Sequence, residues 1–171
     1  PYTTLFRSIY ARAAQRDDAA TLEEPAAFYN QMQDYTLVDC YQVFASAGFG
    51  ATVSDELKTD PMAFRTDWLK KEGLAPERLA VIRAKGDSME PTISDSATLV
   101  VHLGRTRPID GRIYVVRNDD QLWVKRLQVR PDAWVLISDN TIYPPMTIKK
   151  HEQHTFEVIG QVVHISHDVG E

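Results

Sequence analysis

From Leu79 onward the chain is a succession of short apolar runs, cut apart by Gly, Pro, Asp, Asn and Ser. That punctuation suits strands joined by turns and leaves little room for long helices. The runs fall at residues 79–84, 97–103, 112–118, 121–129, 133–138 and 156–165. Asn118-Asp119-Asp120, between two of them, reads as a hairpin turn. The expected fold class is therefore mostly β.

Upstream, Tyr35–Phe44 is rich in strand-forming residues and runs into Ala45-Ser46-Ala47-Gly48-Phe49-Gly50, which is small and flexible. Residues 51–59 are polar. Asp60-Pro61 has the form of a helix start, with Asp as N-cap and Pro at the first helical position. Phe64, Trp68 and Leu69 follow near helical spacing and Gly73 can end the element, so one short helix is expected over 61–72, ahead of the β core. Residues 9–34 are rich in Ala, Asp, Glu and Gln, and Asp17–Ala27 reads as a linker around Pro25. Residues 1–8 resemble translated sequencing-adaptor sequence and are expected to be non-native, with an ordinary frayed terminus as the alternative. The expected organisation is an N-terminal region and linker over 1–34, a strand and loop over 35–59, and a main domain over 60–171.

A chain of 171 residues is long enough for a sizeable core. Its formal net charge of −5 argues against gripping nucleic acid by itself, since that needs clustered Lys and Arg. Cys40 is the single cysteine, so no disulfide forms within the chain, which is compatible with a reducing compartment. No apolar run approaches the length of a membrane span, and no secretory signal opens the chain; a cytoplasmic protein is expected.

Two segments carry potential chemistry: Lys85-Gly-Asp-Ser-Met-Glu-Pro-Thr-Ile93 and Gln121-Leu-Trp-Val-Lys-Arg-Leu-Gln-Val129. In the first, Ser88 follows a Gly-Asp pair at the end of an apolar run, and Pro91 prevents the strand from continuing. A serine on a tight turn beside unpaired backbone N–H groups has the ingredients of a nucleophile and its oxyanion hole. Alone the signal is weak, because serine is common in such turns. In the second, strand alternation puts Trp123, Lys125, Leu127 and Val129 on one face. A lysine among apolar groups resists charging, and a neutral amine can take a proton from a hydroxyl. The alternative is that Lys125 reaches past Trp123 to solvent.

Gly86-Asp-Ser-Met-Glu-Pro91, Asp110-Gly-Arg-Ile-Tyr114 and Val124-Lys-Arg-Leu127 together resemble the LexA/CI-type self-cleaving Ser-Lys peptidase domain. Ser88 and Lys125 lie 37 residues apart, as in that family. Ser138-Asp-Asn140, Tyr143-Pro-Pro145, Val158-Ile-Gly-Gln-Val162 and Phe64-Arg-Thr-Asp-Trp-Leu69 resemble its prophage-repressor branch, and the likeness covers roughly residues 35–166. The resemblance implies a LexA-like, signal-peptidase-like β-clip fold. It implies Ser88 as nucleophile, Lys125 as general base, the amides of Asp87 and Ser88 as oxyanion hole, Met89 as a pocket residue and Ala47–Gly48 as the bond cut. Small residues fit an enclosed cleavage loop, and Gly permits a bent backbone there. One departure stands out: where the family often has Asp-Gly-Asp, this chain has Ser94-Asp-Ser96.

By the same resemblance the partners are a second copy of the chain, a RecA–single-stranded-DNA filament that stimulates cleavage, and operator DNA bound by a helix-turn-helix head upstream of residue 9. No cofactor or metal is implied. Two alternatives stay open: a UmuD-like polymerase accessory protein processed by the same chemistry, and a relative of type I signal peptidases, which needs a membrane anchor. His151, His154, His164 and His167 have spacings that can suit a metal but read better as surface residues. Cys40, Trp68 and Trp134 read as packed, and Arg126 as structural or interfacial.

Overall fold

The computed structural model describes residues 34–46, 51–52, 57–118, 121–152 and 156–168. Residues Asp34–Glu171 form one compact unit. Its strands are β1 (Tyr35–Ser46), β2 (Ala51–Thr52), β3 (Leu57–Arg65), β4 (Leu79–Lys85), β5 (Thr98–His102), β6 (Ile113–Asn118), β7 (Gln121–Val129), β8 (Ala133–Ile137), β9 (Met146–Lys149) and β10 (Phe156–Ser166). One α-helix, α1 (Thr66–Lys71), and two 3-10 turns complete the elements among the described residues. The protein is mostly β, with one short helix ahead of the core, as expected.

The strands hydrogen-bond in the order β3-β1-β4-β5-β10-β6-β7-β8-β9, and β2 pairs separately with β7. The six apolar runs read from sequence coincide with β4, β5, β6, β7, β8 and β10. Asn118 pairs with Gln121 across the expected hairpin, whose two linking residues lie outside the described ones. β9 is an additional strand; it follows Pro144-Pro145 and is mostly exposed, so it lacks the apolar alternation that marks a half-buried strand.

The helix begins later than its sequence suggests. Asp60 and Pro61 belong to β3, at the edge of the sheet. Met62 pairs with Val38 and Thr59 with Cys40, so Asp60 and Pro61 together face Asp39 alone. That is a β-bulge, where a residue without an N–H forfeits no ladder bond. Phe64 and Trp68 stack at 5.8 Å, one from the strand and one from the helix, which produces the helix-like spacing. Gly73 ends the helix with φ +63°. The Leu74 N–H reaches back to the Leu69 carbonyl at 2.8 Å, and Gly73 takes the left-handed conformation that this closure requires.

Three apolar clusters hold the sheet. One gathers Ile82, Met89, Ile93, Leu99, Val115 and Val124. A second gathers Tyr114, Val116, Trp123, Leu127, Leu136 and Phe156. The third packs Val38, Leu69, Leu74, Leu79, Val81 and Val100 beneath the helix. β7 contributes Leu122 and Val124 to the first cluster and Trp123 and Leu127 to the second, so it is buried on both faces. This strand carries Lys125.

Candidate active site

Ser88 sits three residues beyond the end of β4, in the turn that follows Lys85. The turn opens at Gly86, whose φ of +91° is open to glycine and strained for other residues. The Gly86 N–H donates to the Asp95 carboxylate, which ties the entry of the turn to its exit. Ser96 takes up the tight geometry that a glycine would ease, with φ +62°. Met89 and Ile93 anchor the turn in the first cluster.

Lys125 lies on β7 between Trp123 and Leu127, as the alternation requires. Its Nζ donates to Ser88 Oγ at 2.7 Å. Ser88 is 0% exposed and Lys125 8%, so the amine turns inward and does not reach past Trp123 to water. Burial lowers the ammonium's pKa from 10.5 to about 8, because the charged form loses its hydration. At neutral pH roughly a tenth of such an amine is unprotonated, enough to act as a base.

The peptide groups around Ser88 are held from a segment to which the sequence assigns no chemical role. Asn140 Nδ2 donates to the Asp87 carbonyl at 3.2 Å, and the Asn140 backbone N–H donates to the Ser88 carbonyl at 2.9 Å. The Glu90 N–H adds a second donor to the Asp87 carbonyl at 3.0 Å. A trans peptide points its C=O and N–H in opposite directions. Fixing the Asp87 carbonyl therefore also fixes the direction of the Ser88 N–H. Tyr143 Oη donates to Asp87 Oδ1 at 2.6 Å, and this hydrogen bond raises the phenol's pKa.

Arg126, next to Lys125, makes a two-point ion pair with Asp139 at 2.8 and 2.6 Å and donates to the Gly111 carbonyl. The guanidinium beside it holds the Asp139 carboxyl below its usual range, with a further hydrogen bond from Thr92. Arg126 is thus a structural residue.

Ala47 and Gly48 lie outside the described residues. Their flanks do not. Ser46, at the end of β1, pairs with Lys85 at the end of β4. Ala51, at the start of β2, pairs with Leu122 of β7. Residues 47–50 therefore connect a position beside the strand that leads to Ser88 with a position on the strand that carries Lys125.

His151, His164 and His167 are exposed, and His164 packs edge-on to Trp68 at 5.2 Å; His154 lies outside the described residues. Among the described residues no group of His, Cys, Asp and Glu is arranged to hold a metal ion. His102 is the histidine that the sequence does not single out. It is buried in β5, accepts from the Gly104 N–H at 3.2 Å and has its pKa lowered by burial and by Arg105. Cys40 is half-buried against the third cluster, and burial raises its thiol's pKa. Trp68 and Trp134 pack half-buried against the clusters. Among the described residues no helix is long and apolar enough to cross a membrane.

Comparison with known proteins places this geometry. The peptidase S24-like family model matches residues 39–163. The chain is 33% identical over 167 residues to an uncharacterised HTH-type transcriptional regulator of Haemophilus influenzae, covering 90% of this chain and 70% of that protein. It is 30% identical over 158 residues to the 26 kDa repressor protein of Escherichia phage HK022, covering 90% of this chain and 66% of that one. A shorter match, 32% identical over 92 residues, links it to the LexA repressor of Actinobacillus succinogenes, with 53% of this chain and 43% of that one covered. The matched span takes in both Ser88 and Lys125, and on these findings the chain belongs to the peptidase S24-like family, among relatives named as phage and LexA repressors.

Proposed function

We propose that this chain is the self-cleaving portion of a transcriptional repressor of the SOS/prophage type, with Ser88 as nucleophile, Lys125 as its base and Ala47–Gly48 as the bond it cuts. The observation that carries the reading is the 2.7 Å contact between Lys125 Nζ and Ser88 Oγ, closed off from solvent. A nucleophile with no exposed surface is poorly placed to meet a free peptide. It suits a segment of its own chain, and the pairing of Ser46 with β4 and of Ala51 with β7 brackets such a segment.

Neutral Lys125 takes the Ser88 proton as Oγ attacks the Ala47 carbonyl carbon. The amides of Asp87 and Ser88 stabilise the tetrahedral oxyanion. The Lys125 ammonium then protonates the Gly48 nitrogen, which leaves. Water, deprotonated by the same amine, hydrolyses the acyl-serine and frees the new carboxylate. Carrying substrate and nucleophile in one chain makes the attack unimolecular, an advantage of several kcal/mol. Rate control then falls to docking of the 47–50 segment, and a RecA–single-stranded-DNA filament acts by favouring the docked population. In this reading residues 35–59 carry the cleavage site and 60–171 the peptidase and dimerisation functions, while a helix-turn-helix head upstream binds operator DNA. Cutting separates head from body and ends repression.

The test is self-cleavage of the purified chain at neutral and alkaline pH, read by intact mass, beside Ser88→Ala and Lys125→Ala. Fragments 1–47 and 48–171, absent from both variants, are expected. A wild-type chain that stays whole at alkaline pH and with the RecA filament overturns the reading.

A further inference from the structure

β4 and β7 are not neighbours: β5, β10 and β6 lie between them in the sheet. The ladder alone therefore does not set the distance from the turn after β4 to the side chain of Lys125. A second connection does so more directly. Asp139 grips Arg126, the residue after Lys125, through both carboxylate oxygens, and is hydrogen-bonded by Thr92, four residues beyond Ser88. The next residue, Asn140, grips the Ser88 turn through its backbone N–H and its side-chain amide. Asn140 Oδ1 accepts from the Ile142 N–H at 3.2 Å, which orients the amide so that Nδ2 faces Asp87. Two adjacent residues thus brace the strand of the base against the turn of the nucleophile.

We propose that Asn140 is a positioning residue of the dyad: by holding the Asp87 carbonyl it fixes the peptide whose N–H belongs to Ser88, and so keeps both the nucleophile and that N–H aimed at the scissile carbonyl. The proposal rests on the Ser88–Lys125 reading above. A reacting group displaced by a fraction of an ångström loses much of its rate, so a brace of this kind acts on the chemical step more than on folding. Removal of the side chain leaves the Asn140 backbone contact to Ser88 in place, because any residue supplies that N–H.

The experiment measures self-cleavage rate against pH for wild type, Ser88→Ala, Asn140→Ala and Asn140→Asp, together with the Tm of each. Asn140→Asp retains the acceptor for Ile142 but sets a carboxylate oxygen against the Asp87 carbonyl, and it carries the test if alanine unfolds the turn. The expected result is a fall of about tenfold or more in the alkaline plateau rate for both substitutions, well below Tm. The pH midpoint of Asn140→Ala should match wild type, since Lys125 is untouched. Plateau rates within about twofold of wild type, with a lowered Tm, would mean a structural contact only and overturn the proposal. A wild-type chain that does not cleave, or a Ser88→Ala chain that does, removes the dyad reading and this inference together; a cleaving wild type with unaffected Asn140 variants removes this inference alone.

Discussion

Lys125 Nζ and Ser88 Oγ stand 2.7 Å apart with no other acid or base in the pair. Burial alone lowers the lysine's pKa to about 8; no neighbouring cation is needed. The reactive form is the neutral amine. The cleavage rate should rise about tenfold per pH unit below that value and level off above it. A pH–rate profile by intact mass checks this; a bell centred on neutral pH would point to a different base.

The same depressed pKa makes Lys125 a cost to stability. Lysine is protonated up to about pH 10.5 in the unfolded chain and up to about pH 8 in the folded one. Between those values the unfolded state binds more protons, so stability rises with pH through this window; below it the folded state carries the full penalty of a buried charge, on the order of 3 kcal/mol before the hydrogen bond to Ser88 offsets part of it. Lys125→Met should therefore abolish cleavage yet stabilise the protein at neutral pH by about 1–2 kcal/mol. Urea denaturation should show that gain shrinking as pH rises from about 8 to 10.

Asp139 is only 11% exposed and faces Arg126 at 34%. Asp139→Ala leaves the guanidinium without its partner and should cost about 2–4 kcal/mol, seen as a lowered urea midpoint. Asp139→Asn keeps one acceptor and should cost less. Because the native carboxyl titrates below its ordinary range, the pair's contribution is present at neutral pH and is lost as pH falls through that lowered value.

Ser96 holds φ +62° at the exit of the Ser88 turn. A non-glycine residue there carries about 1 kcal/mol of strain, partly balanced by the greater freedom that glycine regains on unfolding. Ser96→Gly should raise Tm by a few degrees and leave the cleavage rate within about twofold of wild type. A marked loss of rate would show that the strain itself shapes the nucleophile's turn.

The strands of the core are legible in the sequence because each is a short apolar run closed by a turn former, and β7 can be read down to the face that carries Lys125. The first strand and its continuation are harder. Pro61 has the local signature of a helix start because its alternative, a bulge on an edge strand, depends on Asp39 lying opposite, which no local pattern reveals. The dyad itself emerges from alternation and turn chemistry sharpened by family likeness. Asn140 and Tyr143 are visible only as part of that likeness. Their contacts to Asp87 span 53 and 56 residues, and polar side chains in a loop carry no periodic signal of such a partner.

The position of β1 bears on the fate of the cut chain. This strand is zipped between β3 and β4, and Val38 within it is buried in the third cluster. Hydrolysis at 47–48 would break one covalent bond but none of those ladder bonds. The first product is then a nicked complex, whole in shape and severed only in connectivity. Release awaits the peeling of a twelve-residue strand from both neighbours, so loss of repression would run on two clocks, one chemical and one mechanical, and the slower of them would set when the switch is thrown.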